Sequence, residues 1–128
     1  MRKLSRKKDN RELMVRNLLT SIILYESVKT TKAKSKVLKP EIDKLITRAK
    51  KNNLEARRYI SGYLLDKKAY EKMFEVIVPM YKNRKSGFSR AISLTNRVGD
   101  NAEIVIVELI DKINSQKKEI ESKEDNGK

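Results

Sequence analysis

The chain of 128 residues contains no cysteine and no histidine. The first absence removes disulfides, thiol nucleophiles and zinc ribbons. The second removes imidazole acid–base chemistry and the commonest metal ligand. Long apolar runs are missing as well: nothing approaches the roughly 18 apolar residues that a membrane-spanning helix needs. The hydrophobic stretch 13–25 is broken by Arg16 and Asn17 and has no small-residue cleavage site, which makes it a poor signal peptide. A cytosolic location is the default expectation. Aromatic residues make up only 5% of the chain, and as single residues they do not supply the paired stacking platform of a sheet-type RNA reader, so sequence-specific single-strand recognition is not expected. Acid is scarce too, with 17 Asp and Glu against 31 Lys and Arg, for a formal charge of +14.

Such an excess lies far outside the charge magnitude of about 2–8 that keeps a small domain soluble. Self-repulsion lowers the stability of the isolated fold, so the charge points to a partner of opposite sign: nucleic acid, an anionic membrane surface or an acidic protein. A lysine-rich proteome would raise the charge evenly, and lysines do outnumber arginines 21 to 10. The distribution here is uneven. Residues 1–36 hold 11 cations and 3 acids; residues 37–81 hold 10 and 6; residues 82–99 hold 5 and none; residues 100–128 hold 5 and 8. The positive excess therefore gathers at the start and in one later stretch.

The organisation follows from that pattern and from hydrophobic periodicity. Residues 1–9 read as a basic extended arm: Arg2, Lys3, Arg6, Lys7 and Lys8 surround a single large apolar side chain, Leu4. Residues 10–111 read as one globular domain, and 112–128 as a charged tail with too few apolar residues to fold. Asp9 and Glu12 resemble a capping box for a helix over 10–26, with Met14, Leu18, Ile22 and Tyr25 on one stripe. Alternation over 27–31 suits a short strand. Thr31 is placed to cap a helix over 32–51, which Pro40 should bend or delay. Further helices are expected over 54–65 and, after an Asp66 cap, over 67–81. A cationic loop, 82–87, precedes strands over 89–96 and 103–110 joined as a hairpin, with Phe88, Ile92 and Leu94 expected on one face. The fold class is α+β: helix, strand, three helices, two strands, with a small three-stranded sheet packed against the helices.

Several segments, taken in order, closely resemble the bacterial large-subunit ribosomal protein number seventeen family. They are Arg2-Lys-Leu, Val15-Arg-Asn-Leu-Leu-Thr-Ser-Ile, Val28-Lys-Thr-Thr-Lys-Ala-Lys, Lys44-Leu-Ile-Thr-Arg-Ala-Lys-Lys, Ala56-Arg-Arg, and Val98-Gly-Asp-Asn-Ala with Val107-Glu-Leu. The resemblance covers about residues 2–111. It implies the same architecture and a structural component of the large ribosomal subunit. It also implies binding to large-subunit rRNA near the rim of the peptide exit tunnel, with neighbouring large-subunit ribosomal proteins as further partners. The chain departs from the family at Ser86-Gly87-Phe88, where a pair of glycines usually precedes the aromatic residue.

The chemistry of RNA then selects candidate contacts. Cations in an extended arm neutralise phosphates and release counterions, which points to Arg2, Lys3, Arg6, Lys7, Lys8, Arg11 and Arg16. A second surface is the loop Lys82, Arg84, Lys85 and Ser86, extended by Arg90 and Arg97. A third is the start of the second long helix, Thr31, Lys32 and Lys34, since helix N-termini favour anions. Arg57 and Arg58 complete the set. No catalytic residue, metal, cofactor, membrane or small-molecule substrate is expected. The near acid pairs Glu41/Asp43 and Asp100/Glu103 suit helix and turn chemistry better than a metal-dependent nuclease. A free DNA- or RNA-binding module would need a recognition helix, and the helix over 10–26 is too apolar to leave the core. Membrane-surface binding lacks an apolar anchor in the arm.

Overall fold

Helix α1 spans Lys8–Tyr25 in the computed structural model, which describes residues 2–110; the tail over 112–128 lies outside the described residues. Lys7 occupies the N-cap position with no side-chain cap, so the capping box expected of Asp9 does not form; Asp9 instead sits in the first turn, where its charge favours the positive end of the helix. Ahead of α1 the chain makes a tight turn. Leu4 and Ser5 both adopt positive φ, the Arg6 amide donates to the Lys3 carbonyl at 3.2 Å, and Leu4 packs against the core. The one apolar side chain of the basic segment therefore fixes where that segment leaves the body.

Glu26, in the left-handed conformation at φ 61°, ends α1 and turns the chain into β1, Ser27–Thr31. α2, Lys32–Lys50, begins at once, with Thr31 as N-cap but without a bond from its hydroxyl. Pro40 neither delays nor interrupts α2. The amide it lacks would have met the Lys36 carbonyl, and Lys36 is exposed, so the missing bond falls on the solvent side of the helix. Asn53 caps α3, Leu54–Tyr63, by accepting from the Ala56 amide at 2.8 Å. Asp66 caps α4, Lys67–Lys72, by accepting from the Lys68 amide at 2.9 Å. α4 runs on through one π-turn, Met73–Ile77, into a last helical turn α5, Val78–Met80. The wide turn comes just before Pro79, whose ring would crowd the Glu75 carbonyl in a regular helix.

Two strands complete the domain: β2, Ser89–Ser93, and β3, Ile104–Leu109. The sheet order is β1-β3-β2, with both pairings antiparallel. Val28 faces Val107, Thr30 faces Val105, and Ser89 faces Leu109. Beyond β2 the hairpin stays joined by single bonds, Leu94 amide to Ile104 carbonyl at 2.8 Å and Arg97 amide to Ala102 carbonyl at 2.9 Å. Val105, Val107 and Leu109 are buried against the helices. The face expected for β2 is corrected: Phe88 is fully buried, whereas Ile92 and Leu94 are 41% and 38% exposed. Alternation does not reach back to Phe88, because Gly87 turns the chain there at φ 68° and the strand begins only at Ser89.

The core joins Val15, Leu19, Ile22 and Ile23 of α1 to Leu38, Ile42 and Ile46 of α2, with Ile60, Met73 and Ile77 beside them. Tyr81 and Phe88 close it, edge to face at 5.0 Å, and the Tyr81 hydroxyl donates to the Phe88 carbonyl at 3.2 Å. Asp43 accepts from the Phe88 amide at 3.1 Å. The cationic loop 82–87 thus leaves and re-enters the core at two bonded aromatic residues. Phe88→Ala should cost about 3–5 kcal/mol of unfolding free energy in a urea titration, with the helical circular dichroism of the folded state retained.

Candidate nucleic-acid interface

The folded body sorts its cations into two groups, those bonded to the chain itself and those left free. In the N-terminal segment Arg2, Lys3, Lys7 and Lys8 are exposed and make no ion pair or side-chain bond among the described residues. Arg2 lines a groove with Lys36, Pro40, Glu41 and Lys44, which lays the segment along α2. Arg6 donates to the Leu4 carbonyl at 2.9 Å and Arg11 to the Arg6 carbonyl at 3.5 Å, so both help hold the turn. Arg16 is committed to the protein: its Nε and Nη2 donate to the Tyr63 and Gly62 carbonyls, each at 2.8 Å. Those carbonyls lie at the C-terminus of α3, where α-helices leave acceptors unpaired. Arg16 is thus a staple between α1 and α3.

The loop 82–87 shows the same division. Lys82, Lys85 and Ser86 are exposed. Arg84 turns inward and donates to the carbonyls of Ser86 and Gly87 at 3.2 and 2.9 Å, while the Lys50 ammonium bonds the Arg84 carbonyl from α2. Arg84 shapes the loop that holds its two lysine neighbours out. Arg90 pairs across the sheet with Glu108 at 2.5 Å, and Arg97 forms a two-bond pair with Asp100, at 2.9 and 2.5 Å.

A third surface lies where α2 begins. Lys29, Thr30, Thr31, Lys34, Thr95, Asn96 and Arg97 line a cleft of about 530 Å³ with no acid in its wall. Pairing of β1 with β3 brings this helix start against the hairpin, and the Lys32 amide donates to the Glu103 carbonyl at 3.0 Å. Lys32 itself pairs with Glu103 at 3.2 Å and points out of the cleft's lining. Lys29, Thr95 and Asn96 are additions that sequence reasoning missed; the alternation of β1 gave the only signal, since it places Lys29 two residues from Thr31 on the same side. Arg57 bonds the Asn52 side chain at 3.0 Å and sits over the Phe74 ring, while Arg58 is exposed and has no ion pair among the described residues.

The two acid pairs singled out in the sequence are each engaged within the protein. Asp43 holds Phe88, Glu41 pairs with Lys44 at 3.2 Å, Asp100 with Arg97, and Glu103 with Lys32. Among the described residues no group of three or more acids is placed to hold a metal, and no helix is long and apolar enough to cross a membrane. The Asp100 carboxyl is held down at about 2, first by the bond from Arg97 and next by the Ala102 amide. Burial pushes the Tyr63 phenol up, with Glu41 adding to it.

The fold and its surfaces define a class: a small, strongly basic α+β protein in which a rigid frame presents free lysines and arginines at several edges. The family model described as Ribosomal protein L17 matches residues 14–110. The large ribosomal subunit protein bL17 of Syntrophotalea carbinolica is 42% identical over 110 residues, covering 86% of this chain and 71% of that protein. Its counterpart from a Thermoanaerobacter species is 41% identical over 109 residues, 85% of this chain and 97% of the other. That of Borrelia turicatae is 41% identical over 115 residues, 90% and 93%. The chain belongs to the ribosomal protein L17 family, and as such it is a structural, non-catalytic constituent of the large ribosomal subunit.

Two measurements check this arrangement. Arg16→Ala leaves two α3 carbonyls without their donor, and should lower unfolding free energy by roughly 2 kcal/mol. Because the folded-state pKa of Asp100 is depressed, its contribution to the turn is complete above the ordinary carboxylate range and is lost as pH falls toward 2. A carbon-detected titration of the Asp100 carboxyl should find that low midpoint, and Arg97→Ala should return it toward the ordinary value.

Proposed function

We propose that this protein binds and stabilises folded large-subunit rRNA through three cationic surfaces: the N-terminal segment, the loop 82–87 and the cleft at the start of α2. The observation that carries this reading is the sorting of charge. The cations that concentrate in residues 2–8 and 82–87 include Arg2, Lys3, Lys7, Lys8, Lys82 and Lys85, all exposed and without an ion pair among the described residues. Unpaired lysines at this density repel one another, and a phosphate backbone relieves that repulsion by releasing its own counterions. Folded RNA has grooves and junctions too narrow for a helix, and a short basic segment anchored by Leu4 fits such a space. Arg11, Arg16, Thr31, Lys32, Lys34, Arg57, Arg58, Arg84, Ser86, Arg90 and Arg97 extend the three surfaces, with the internally bonded arginines shaping them. The site in the particle is near the outer rim of the peptide exit tunnel, as the family resemblance implies, with other large-subunit proteins alongside.

The test is the salt dependence of binding to a large-subunit rRNA fragment. Replacing Arg2, Lys3, Lys7 and Lys8 together by alanine should lower the slope of log K against log salt by about 3, while thermal unfolding stays unchanged. Footprints on the rRNA should disappear over one local region in the same variant. An unchanged slope and an unchanged footprint would sink the proposal.

A further inference from the structure

Four side chains form a single pile on the surface between α2 and α3. The Tyr59 and Tyr63 rings stack at 5.7 Å with 16° between their planes. The Arg48 guanidinium lies over the Tyr59 ring at 3.8 Å, and the Arg16 guanidinium over the Tyr63 ring at 5.4 Å. Arg16 is already tied to the Gly62 and Tyr63 carbonyls, so that end is fixed. The other end is the Arg48 guanidinium, beside which Tyr59 stays 43% exposed, and a cavity of about 260 Å³ lies between the helices there, lined by Glu41, Lys44, Leu45, Arg48, Tyr59 and Tyr63.

Core packing alone does not account for this placement. Tyr59 leaves much of its ring edge uncovered, and Arg48 lies over that ring instead of extending into water. Planar aromatic and guanidinium surfaces at an open cavity are what an unstacked nucleobase packs against. The cavity also carries a reading group. Glu41 has a carboxylate with two acceptor oxygens, one of which accepts from the Lys44 ammonium at 3.2 Å.

We propose that this cavity receives one unpaired guanine base of the RNA, packed against Arg48 and Tyr59, with Glu41 accepting from its Watson–Crick edge. Guanine is the base that presents two adjacent donors there, N1–H and N2–H2, matching the two oxygens of a carboxylate. Adenine and cytosine present an acceptor beside their amino group, which a carboxylate repels. Uracil offers one donor between two carbonyls. This inference rests on the RNA-binding reading above and adds a base-specific contact to it.

The full-length protein is titrated with an RNA duplex of fixed sequence bearing a single bulged guanosine, adenosine or uridine, or no bulge, at one salt concentration. Comparison among the bulges isolates the base from the distortion that a bulge causes. The bulged guanosine should bind about tenfold more tightly than the other bulges. Tyr59→Leu should abolish that preference and Tyr59→Phe should keep it. Glu41→Gln, which leaves the ring stack untouched, should reduce the preference without moving the thermal midpoint. Equal affinity for all bulges, or a guanosine preference that survives both Tyr59→Leu and Glu41→Gln, overturns the inference. Tight, salt-dependent binding of every duplex without base preference removes this inference alone. Failure to bind any of them removes the RNA-binding reading as well.

Discussion

β3 is hydrogen-bonded along both edges, and the placement of every other part follows from that. Its pairing with β2 is local, across a hairpin. Its pairing with β1 joins Thr31 to Ile104 over the whole helical block, so the three helices between must fold back onto one side of the sheet. That closure is entropically costly in the unfolded chain and is offset by burying Val105, Val107 and Leu109 beneath α1 and α2. It also has a consequence at the surface. α2 begins on the residue after β1, so the pairing that closes the domain brings Lys34 and the Thr31 end of the helix against Asn96 and Arg97 of the hairpin. One basic cleft is thus assembled from segments far apart in the chain.

Several arginines take the paired bonds that shape the surfaces, although Lys32, Lys44 and Lys50 are bonded too and Arg2 and Arg58 bond no described residue. Arg16 donates to two carbonyls through Nε and Nη2, Arg84 shares its Nε between two, Arg97 forks onto both oxygens of Asp100, and Arg90 puts two nitrogens on one oxygen of Glu108. The planar guanidinium suits such paired acceptors, whereas an ammonium is a compact, strongly hydrated charge on a flexible stem. Lys3, Lys7, Lys8, Lys82 and Lys85 are exposed at the edges and make no ion pair among the described residues. A count of positive charge in the sequence treats both residues alike. The structure separates cations bonded within the protein from cations that bond no described residue.

The element order was readable because its signals are local. Asp66 before α4, the β-branched run in β3 and the broad apolar stripe of α1 each act within a few residues, and each forms where its pattern lies. Details failed where a local signal met a tertiary one. Asp9 was a plausible cap, but the turn anchored by Leu4 starts α1 one residue ahead of it. Pro40 was a plausible break, but α2 is gripped by the core through Leu38 and Ile42 on either side of it. Phe88 shares its parity with Ile92, yet a bond from its amide to Asp43 pulls it into the core before the strand begins. Tyr59 and Tyr63 stand four residues apart on α3, so their stacking was legible in principle; the arginines that sandwich them come from α1 and α2 and were not.

The sequence by itself determined that this is an α+β domain with a large, unevenly spread positive charge, because composition and short-range periodicity depend only on neighbours along the chain. Which cations stay free, which become staples, and which residues meet in the cleft and the Tyr59 cavity was decided only by the tertiary structure. Hydrogen bonds and ring stacking act over a few ångströms in space, and the partners concerned lie tens of residues apart until β1 finds β3.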